Sequence, residues 1–290
     1  MNRSVTLIVL GTVQDAGSPH IGCIKDCCRY LFTNPDHSRK VVSLGIADTI
    51  NSRTYLFDAT PDITYQMMNL NSISGQNTNQ TPDGIFLTHA HIGHYTGLMY
   101  LGKEALNAKN TEVYVMPRMK DFLENNSPWD QLTDLGNISL KLLNNNTEVK
   151  LNSSLRVTPV LVPHRDEFSE TVGYKIEGVS KKALFIPDID KWNKWDLNIK
   201  EELGKVDYAF LDATFYDENE TGNSNMKEIP HPFVVESMEL FKDLSETEKR
   251  KIHFIHFNHT NPLLDLNSPQ SKTVLQNGFN IAISGQMFEL

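Results

Sequence analysis

The 290-residue chain is 39% apolar and carries a formal charge of −9, from 27 basic and 36 acidic side chains. That acidic balance excludes a general nucleic-acid binder, which needs a basic face against phosphate. No stretch reaches the ~18 uninterrupted apolar residues of a membrane span, so a cytoplasmic protein acting on a small molecule is expected, with export compatible if a leader preceded this start.

The length suits one domain over 1–290, built of two sheet-bearing halves. Val5–Leu10 reads as a first strand, too short for a secretory core. The three cysteines follow it as Cys23, Cys27 and Cys28. An odd, tightly clustered set is a poor disulfide framework and suits a metal in a reducing compartment. Val41–Ile46 and Arg53–Asp58 read as adjacent strands joined by a polar turn at 49–52. A helix is predicted over Asp62–Leu70, after Pro61, and a polar surface loop over Asn71–Pro82.

Ile85–Leu87 is a short buried strand, Thr96–Leu106 a helix and Glu112–Met116 a strand. Ile138–Val162 alternates apolar and polar positions between Asn-rich turns, as meandering antiparallel strands do, and Thr171–Ile176 and Lys182–Ile186 extend the pattern. Next are a helix over 191–202, a strand over Asp207–Leu211, a helix over 232–244 and a strand over Ile252–Phe257. A helix over 268–276 and a terminal strand pair close the chain. Sheet runs in both halves, with helices between, predict an α/β sandwich of two sheets with helices on the outer faces.

The strongest chemical signal is His89-Ala-His91-Ile-Gly93-His94, directly after the strand Ile85–Leu87. Histidines crowded at a strand-to-helix junction converge on one or two cations. The run, followed by Gly97-Leu98, resembles the signature of the metallo-β-lactamase superfamily, in which an aspartate precedes the third histidine. The resemblance spans nearly the whole chain. It includes Leu10-Gly11-Thr12, the segment Ile255–Asp265 and the ending Gly285–Leu290. Two branches look close: the coenzyme PQQ synthesis protein B family and the phosphodiesterase of the phosphonate-degradation pathway. Thr260-Asn261-Pro262-Leu263-Leu264-Asp265 looks most like the former.

The resemblance implies a four-layer αββα sandwich and further ligands. His164 closes a later strand, Asp188 fits a bridging carboxylate (preferred to Asp190), and His256 fits the last histidine. His253 is expected to face the other side of its strand. His89, His91, His164 and Asp188 would hold one ion; His94, Asp188 and His256 would hold a second. Gly93 stands where the family has its aspartate, which implies a weaker or mononuclear second position, and Gly93→Asp is expected to strengthen it.

The phosphodiesterase branch also carries a structural zinc. Cys23, Cys27, Cys28 and His259, three residues beyond His256, would supply its shell, with a cysteine spacing unlike the family's Cys-x-Cys-x-x-Cys. His231 is a general-acid candidate by similarity of position. Asp58 and Asp212 end strands near the site, as imidazole-orienting groups or as strand caps.

Three readings follow. The first is hydrolysis of a phosphodiester or related ester by a metal-bound hydroxide, on Zn2+ or alternatively Mn2+ or Fe2+, with one or two ions. The second is a non-haem-iron oxygenase resembling PQQ synthesis protein B, since two histidines and a carboxylate also form that ligand set. The third is a non-catalytic binding protein on a degenerate scaffold.

Overall fold

The computed structural model describes residues 4–75, 80–221 and 229–290. Among the described residues, fourteen strands form two seven-stranded sheets. The first contains β1 (Val5–Gly11), β2 (Ser43–Asp48), β3 (Arg53–Phe57), β4 (Gly84–Phe86), β5 (Thr111–Val115) and β6 (Ile138–Leu142), with the C-terminal strand Met287–Glu289 on the outer edge of β1. The second contains β7 (Val149–Lys150), β8 (Arg156–Leu161), β9 (Val172–Glu177), β10 (Lys182–Ile186), β11 (Tyr208–Asp212), β12 (Ile252–Ile255) and β13 (Asn280–Ile281). We number Met287–Glu289 β14.

Three apolar layers hold the sandwich. Val9, Leu44, Phe57 and Phe86 of the first sheet meet Val157, Tyr174, Phe185 and Phe210 of the second in the central layer. Leu56, Ile85 and Val113 pack outward under the helix Ile63–Ser74. Leu184, Leu211 and Phe254 pack outward under Trp192, Phe241 and Val274. Both faces of each sheet are therefore covered, which is why β1 and β10 read as near-continuous apolar runs. The αββα sandwich expected from the sequence is the fold observed. Among the described residues, no helix is long and apolar enough to cross a membrane.

Several local expectations change. The helix after Pro61 runs on to Ser74, through the first residues of the expected loop, because Leu70 and Asn71 are buried on its inner face and Gly75, at φ 70°, closes it. The later part of that loop, 76–79, lies outside the described residues. Thr96–Leu106 forms a short 3-10 turn over Thr96–Leu101, and 191–202 breaks into a turn at Trp192–Lys194 and a helix Ile199–Leu203. Trp192 and Trp195 are buried there as packing, and Trp195 Nε1 donates to the Leu161 carbonyl at 2.7 Å.

The expected meander is split between sheets. β6 runs parallel to β5, while β7 and β8 pair in the other sheet. The terminal strands do not pair with each other: β13 joins β12, and β14 joins β1.

His253 faces the core, stacked on Phe210 at 5.2 Å and edge-on to Phe288 at 4.9 Å. Burial pushes it down to about 4, against an ordinary imidazole value of ~6.5. The unfolded chain thus takes up a proton that the folded chain refuses, so stability is lost as pH falls from ~6.5 towards 4, by roughly 3 kcal/mol at the limit. His253→Phe should flatten this limb of a pH series of urea melts. A parallel acid limb in the variant would show that His253 plays no such part.

Candidate metal centre

β1, β3 and β4 point the same way in the first sheet, as do β8, β10, β11 and β12 in the second. Their C-terminal ends therefore open onto one edge of the sandwich. Most candidates of the histidine centre lie just past one of these ends, Asp58 after β3, His89 after β4, His164 after β8, Asp188 after β10, Asp212 at the end of β11 and His256 after β12, while His231 comes from the segment before the helix Val234–Leu240. Asp58 and His256 take left-handed φ values of 66° and 69°. Such a conformation in a non-glycine residue costs on the order of 1 kcal/mol or more, and here it turns both side chains off their strands into the site.

Hydrogen bonds fix which imidazole nitrogen faces inward. A carboxylate only accepts, so His94 Nδ1–H donates to Asp58 Oδ2 at 2.8 Å, and His94 Nε2, which faces Asp15 Oδ1 at 3.1 Å, holds a proton until a cation replaces it. Thr88 gives its hydroxyl hydrogen to Asp58, so it must accept from His89 Nδ1 at 2.9 Å, and His89 Nε2 also faces inward. The same device recurs across the site. Thr214 donates to Asp212 at 2.7 Å and accepts from His256 Nδ1 at 2.8 Å. His91 Nε2 faces Glu167 at 3.2 Å, which leaves Nδ1 pointing at His89 Nε2, 2.8 Å away.

Two donor groups result, joined at Asp188. His89, His91, His164 and Asp188 converge on one side; His94, His256 and Asp188 converge on the other. Asp188 Oδ2 lies 3.3 Å from His89 Nε2, and 3.9 and 3.8 Å from His94 Nε2 and His256 Nε2. His164 Nε2 and Asp188 Oδ1 lie 3.2 Å apart, yet neither makes a hydrogen bond among the described residues. Two acceptors held this close and this dry repel unless a proton or a cation lies between them. Ligand atoms ~2.0–2.1 Å from a tetrahedral ion stand about 3.3 Å apart, so the side chains present fit a metal. Asp190, the alternative to Asp188, sits behind His164, 3.4 Å from its outer nitrogen, and is tied to Lys194 at 2.9 Å.

The electrostatics agree. Burial and the nearby His94 hold His89 well below its ordinary value. Burial would do the same to His94, but Asp58 and Asp15 raise it well above. Burial opposes ionisation of Asp188, yet His164, His231 and His256 keep it well below the usual carboxylate range. His164, despite its burial, is raised by Asp188 to about 10. Protons and metal compete for the same nitrogens, so metal uptake must release protons.

His231 also reaches the centre. Its Nδ1 donates to Asp212 Oδ2 at 2.8 Å and lies 3.2 Å from Asp188 Oδ1. Asp58 and Asp212 thus orient imidazoles and also cap backbone, Asp58 accepting from the Thr88 N–H at 2.8 Å and Asp212 from the Ile189 and Thr214 N–H groups at 3.1 and 2.9 Å.

Cys23, Cys27, Cys28 and His259 come together away from this centre, with ligand atoms all within 4.8 Å of one another. The sulfurs of Cys23 and Cys27 are 3.9 Å apart, and those of Cys27 and Cys28 3.8 Å. Thiolates 2.3 Å from one zinc would be about 3.8 Å apart, so the Cys-x-x-x-Cys-Cys spacing does reach a common point. The His20 N–H donates to Cys28 Sγ at 3.3 Å, and the His20 ring packs edge-on to His259 at 4.4 Å.

The pattern of the β-lactamase superfamily domain matches residues 53–257, from β3 through the residue after His256. The chain belongs to the β-lactamase superfamily. Within that superfamily it is similar to coenzyme PQQ synthesis protein B of Acinetobacter baylyi, at 22% identity over 97% of this chain and 99% of that one. Among solved structures it is similar to the Zn2+-bound PqqB of Methylobacterium extorquens, with TM-score 0.78 and 20% identity over 98% of this chain and 100% of the other. It is also similar to a diphosphatase of the PhnP family, with TM-score 0.69 and 21% identity over 99% and 97% of the two chains.

Sequence reasoning missed three contributors. Thr88 adjoins the histidine run and Thr214 follows Asp212 by two residues, so both lay within motifs already singled out. Asp15 carried no local signal. It follows β1 and lies outside the superfamily match, and its Oδ1 stands 3.1 Å from His94 Nε2 and 3.3 Å from His256 Nε2. It also revises the expectation for Gly93→Asp. A Cβ at position 93 would lie 2.5 Å from Asp15 Cα and 2.8 Å from its Cβ, so the place of the missing aspartate is filled.

Proposed function

We propose that the chain is a metal-dependent hydrolase of phosphodiesters or related esters, with its 290 residues acting as one domain. The observation that carries this reading is the pair of donor groups sharing Asp188. His89, His91, His164 and Asp188 would hold one divalent ion, zinc being the natural fit to imidazoles, with manganese or iron as alternatives. His94, Asp188 and His256 would hold the second. Cys23, Cys27, Cys28 and His259 would hold a structural zinc. Bound at the histidine centre, divalent ions acidify water from a pKa of ~15.7 towards ~7 and neutralise charge on a phosphoryl group.

The chain's own groups supply the rest. Thr88, Asp58, Thr214 and Asp212 hold the imidazoles in the tautomer that leaves the inward nitrogen free, as orienting partners of metal-bound histidines do. His231 protonates the departing alkoxide. Burial works against its charged form, but Asp212 and Asp188 raise it above the ordinary imidazole value, which suits an acid. A cavity of about 480 Å³ lies beside Asp15; Arg39 and Lys40 in its wall are paired with Asp36 and Asp62, at 3.3 and 3.4 Å, so its charge does not select an anion. The similarity to a protein described as a diphosphatase supports the hydrolase reading.

An oxygenase is not favoured. Its two-histidine, one-carboxylate site would stand alone, whereas here a second set of three histidines shares the same Asp188. The completeness of both sets also speaks against a degenerate binding scaffold.

The test pairs metal analysis of the purified protein with two phosphodiesters, one bearing a nitrophenyl and one an alkyl leaving group. His231→Gln should keep its metal and lose ~10²–10⁴-fold in kcat on the alkyl ester, and far less on the nitrophenyl ester, whose leaving group needs no proton. Iron content with oxygen consumption and no ester turnover would reject the hydrolase reading. Equal losses on the two esters would reject His231 as the acid.

A further inference from the structure

We infer that Asp15 is the carboxylate ligand of the second cation position, supplied by the loop after β1 in place of the motif aspartate absent at Gly93. Asp15 can hold this place only if the centre takes two cations, as proposed above.

Three independent observations converge on it. The first is the direction of the inward nitrogens. His94 Nδ1–H is committed to Asp58 and His256 Nδ1–H to Thr214, so both Nε2 atoms face a single oxygen, Asp15 Oδ1, at 3.1 and 3.3 Å. With Asp188 Oδ2, 3.9 and 3.8 Å from the two nitrogens, these atoms all lie within 4.8 Å of one another, and they describe a cation site once the imidazole proton leaves.

The second is the space at Gly93. The glycine sits in the helical turn Ile92–Tyr95 with its missing side chain aimed at Asp15 Cα, Cβ and Cγ, at 2.5, 2.8 and 2.9 Å. Atoms are not found that close, so a side chain at 93 and Asp15 in its present position exclude each other. Loss of the motif aspartate is therefore what admits Asp15.

The third is the way Asp15 is held. The Phe257 N–H donates to the Thr12 carbonyl at 2.8 Å, and the Gln14 N–H donates back to the Phe257 carbonyl at 2.8 Å. Val13 also bridges Val41 and Phe257. The backbone just before Asp15 is thus stitched to the residue just after His256, which fixes the two prospective ligands relative to one another. Side chains held by backbone pairing keep ligand geometry better than side chains on a free loop.

The consequence is a ligand exchange between two sites in sequence. Position 15 and position 93 offer one carboxylate between them, and the sum of the two, not either alone, sets the affinity of the second ion. A zinc titration against a chromogenic chelator, with zinc equivalents counted after dialysis, tests this on four proteins: wild type, Asp15→Ala, Gly93→Asp, and the double variant Asp15→Gly with Gly93→Asp. Asp15→Asn, which keeps the size of the side chain, replaces Asp15→Ala if the latter does not fold.

Wild type is expected to hold two zinc ions at the centre besides the one at the cysteines. Asp15→Ala should weaken one of the two by at least about 100-fold and leave the other ions in place. Gly93→Asp alone should bind zinc no better than wild type, and the double variant should recover the second ion. Two centre ions in wild type, equally tight in Asp15→Ala, would overturn the role of Asp15 while leaving the two-cation reading intact. A single centre ion in wild type would overturn both.

Discussion

Replacing His89 or His91 by alanine should strip metal from the histidine centre and abolish turnover while the chain stays folded. Both imidazoles leave β4 at its C-terminal end, and neither packs into the three apolar layers that hold the sandwich. Each offers one inward nitrogen, to the same point near Asp188. Removing either leaves that position with two imidazoles and a carboxylate, and lets water into a pocket where His89 is only 1% exposed. A metal contributes several kcal/mol of charge stabilisation to ester cleavage, so kcat/KM should fall on the order of 10³-fold or more. Circular dichroism and the cysteine-bound metal should be unchanged. A variant that unfolds, or that retains every metal equivalent, would show that these histidines serve packing and not ligation.

The second large effect is expected at the other cluster. His259→Ala should release one equivalent of metal and lower Tm, with the histidine centre still loaded. Cysteine ligands bind metal as thiolates, and a closed three-cysteine, one-histidine shell adds its binding energy to folding. A shell here would tie the loop at 23–28 to the segment just beyond β12. Without a cation the three thiols contend for one negative charge. Burial and its neighbouring thiols push Cys27 up to about 12. Loss of several kcal/mol in a chain of this size corresponds to a fall in Tm on the order of 10 °C. The centre survives because Asp15 and His256 are fixed by the Thr12–Phe257–Gln14 bonds, which do not involve the cysteines. Unchanged Tm and unchanged metal content in His259→Ala would remove the structural site. So would a disulfide between any two of the three cysteines.

The fold was legible where a residue's neighbours in sequence are also its neighbours in space. Buried strands such as β1 and β10 announce themselves as apolar runs because both of their faces are covered. Boundaries and partners were less legible. The alternation in 138–162 marks strands correctly, but the same alternation serves an antiparallel neighbour or a parallel one. The chain's crossing from β6 in one sheet to β7 in the other leaves no local trace. The segment 191–202 has the apolar content of a helix, yet Trp192 and Trp195 are drawn into the outer layer of the second sheet, and packing of those rings overrides helix propensity.

The sequence by itself determined the sheet-forming runs and the histidine and cysteine clusters, and its resemblance to a known family named the other donor candidates. His89, His91, His94 and the three cysteines stand inside short motifs; His164, Asp188, His256 and His259 were candidates by the resemblance, and the structure gathers all of them into clusters. Only the tertiary structure decided how those donors are oriented and how the second position is completed. Thr88 and Thr214 set tautomers through hydrogen bonds that no spacing rule encodes. Asp15 meets His94 across 79 residues and His256 across 241. A contact of that kind has no periodicity, because it arises from two sheets closing over one edge and from the room left by one missing side chain at Gly93.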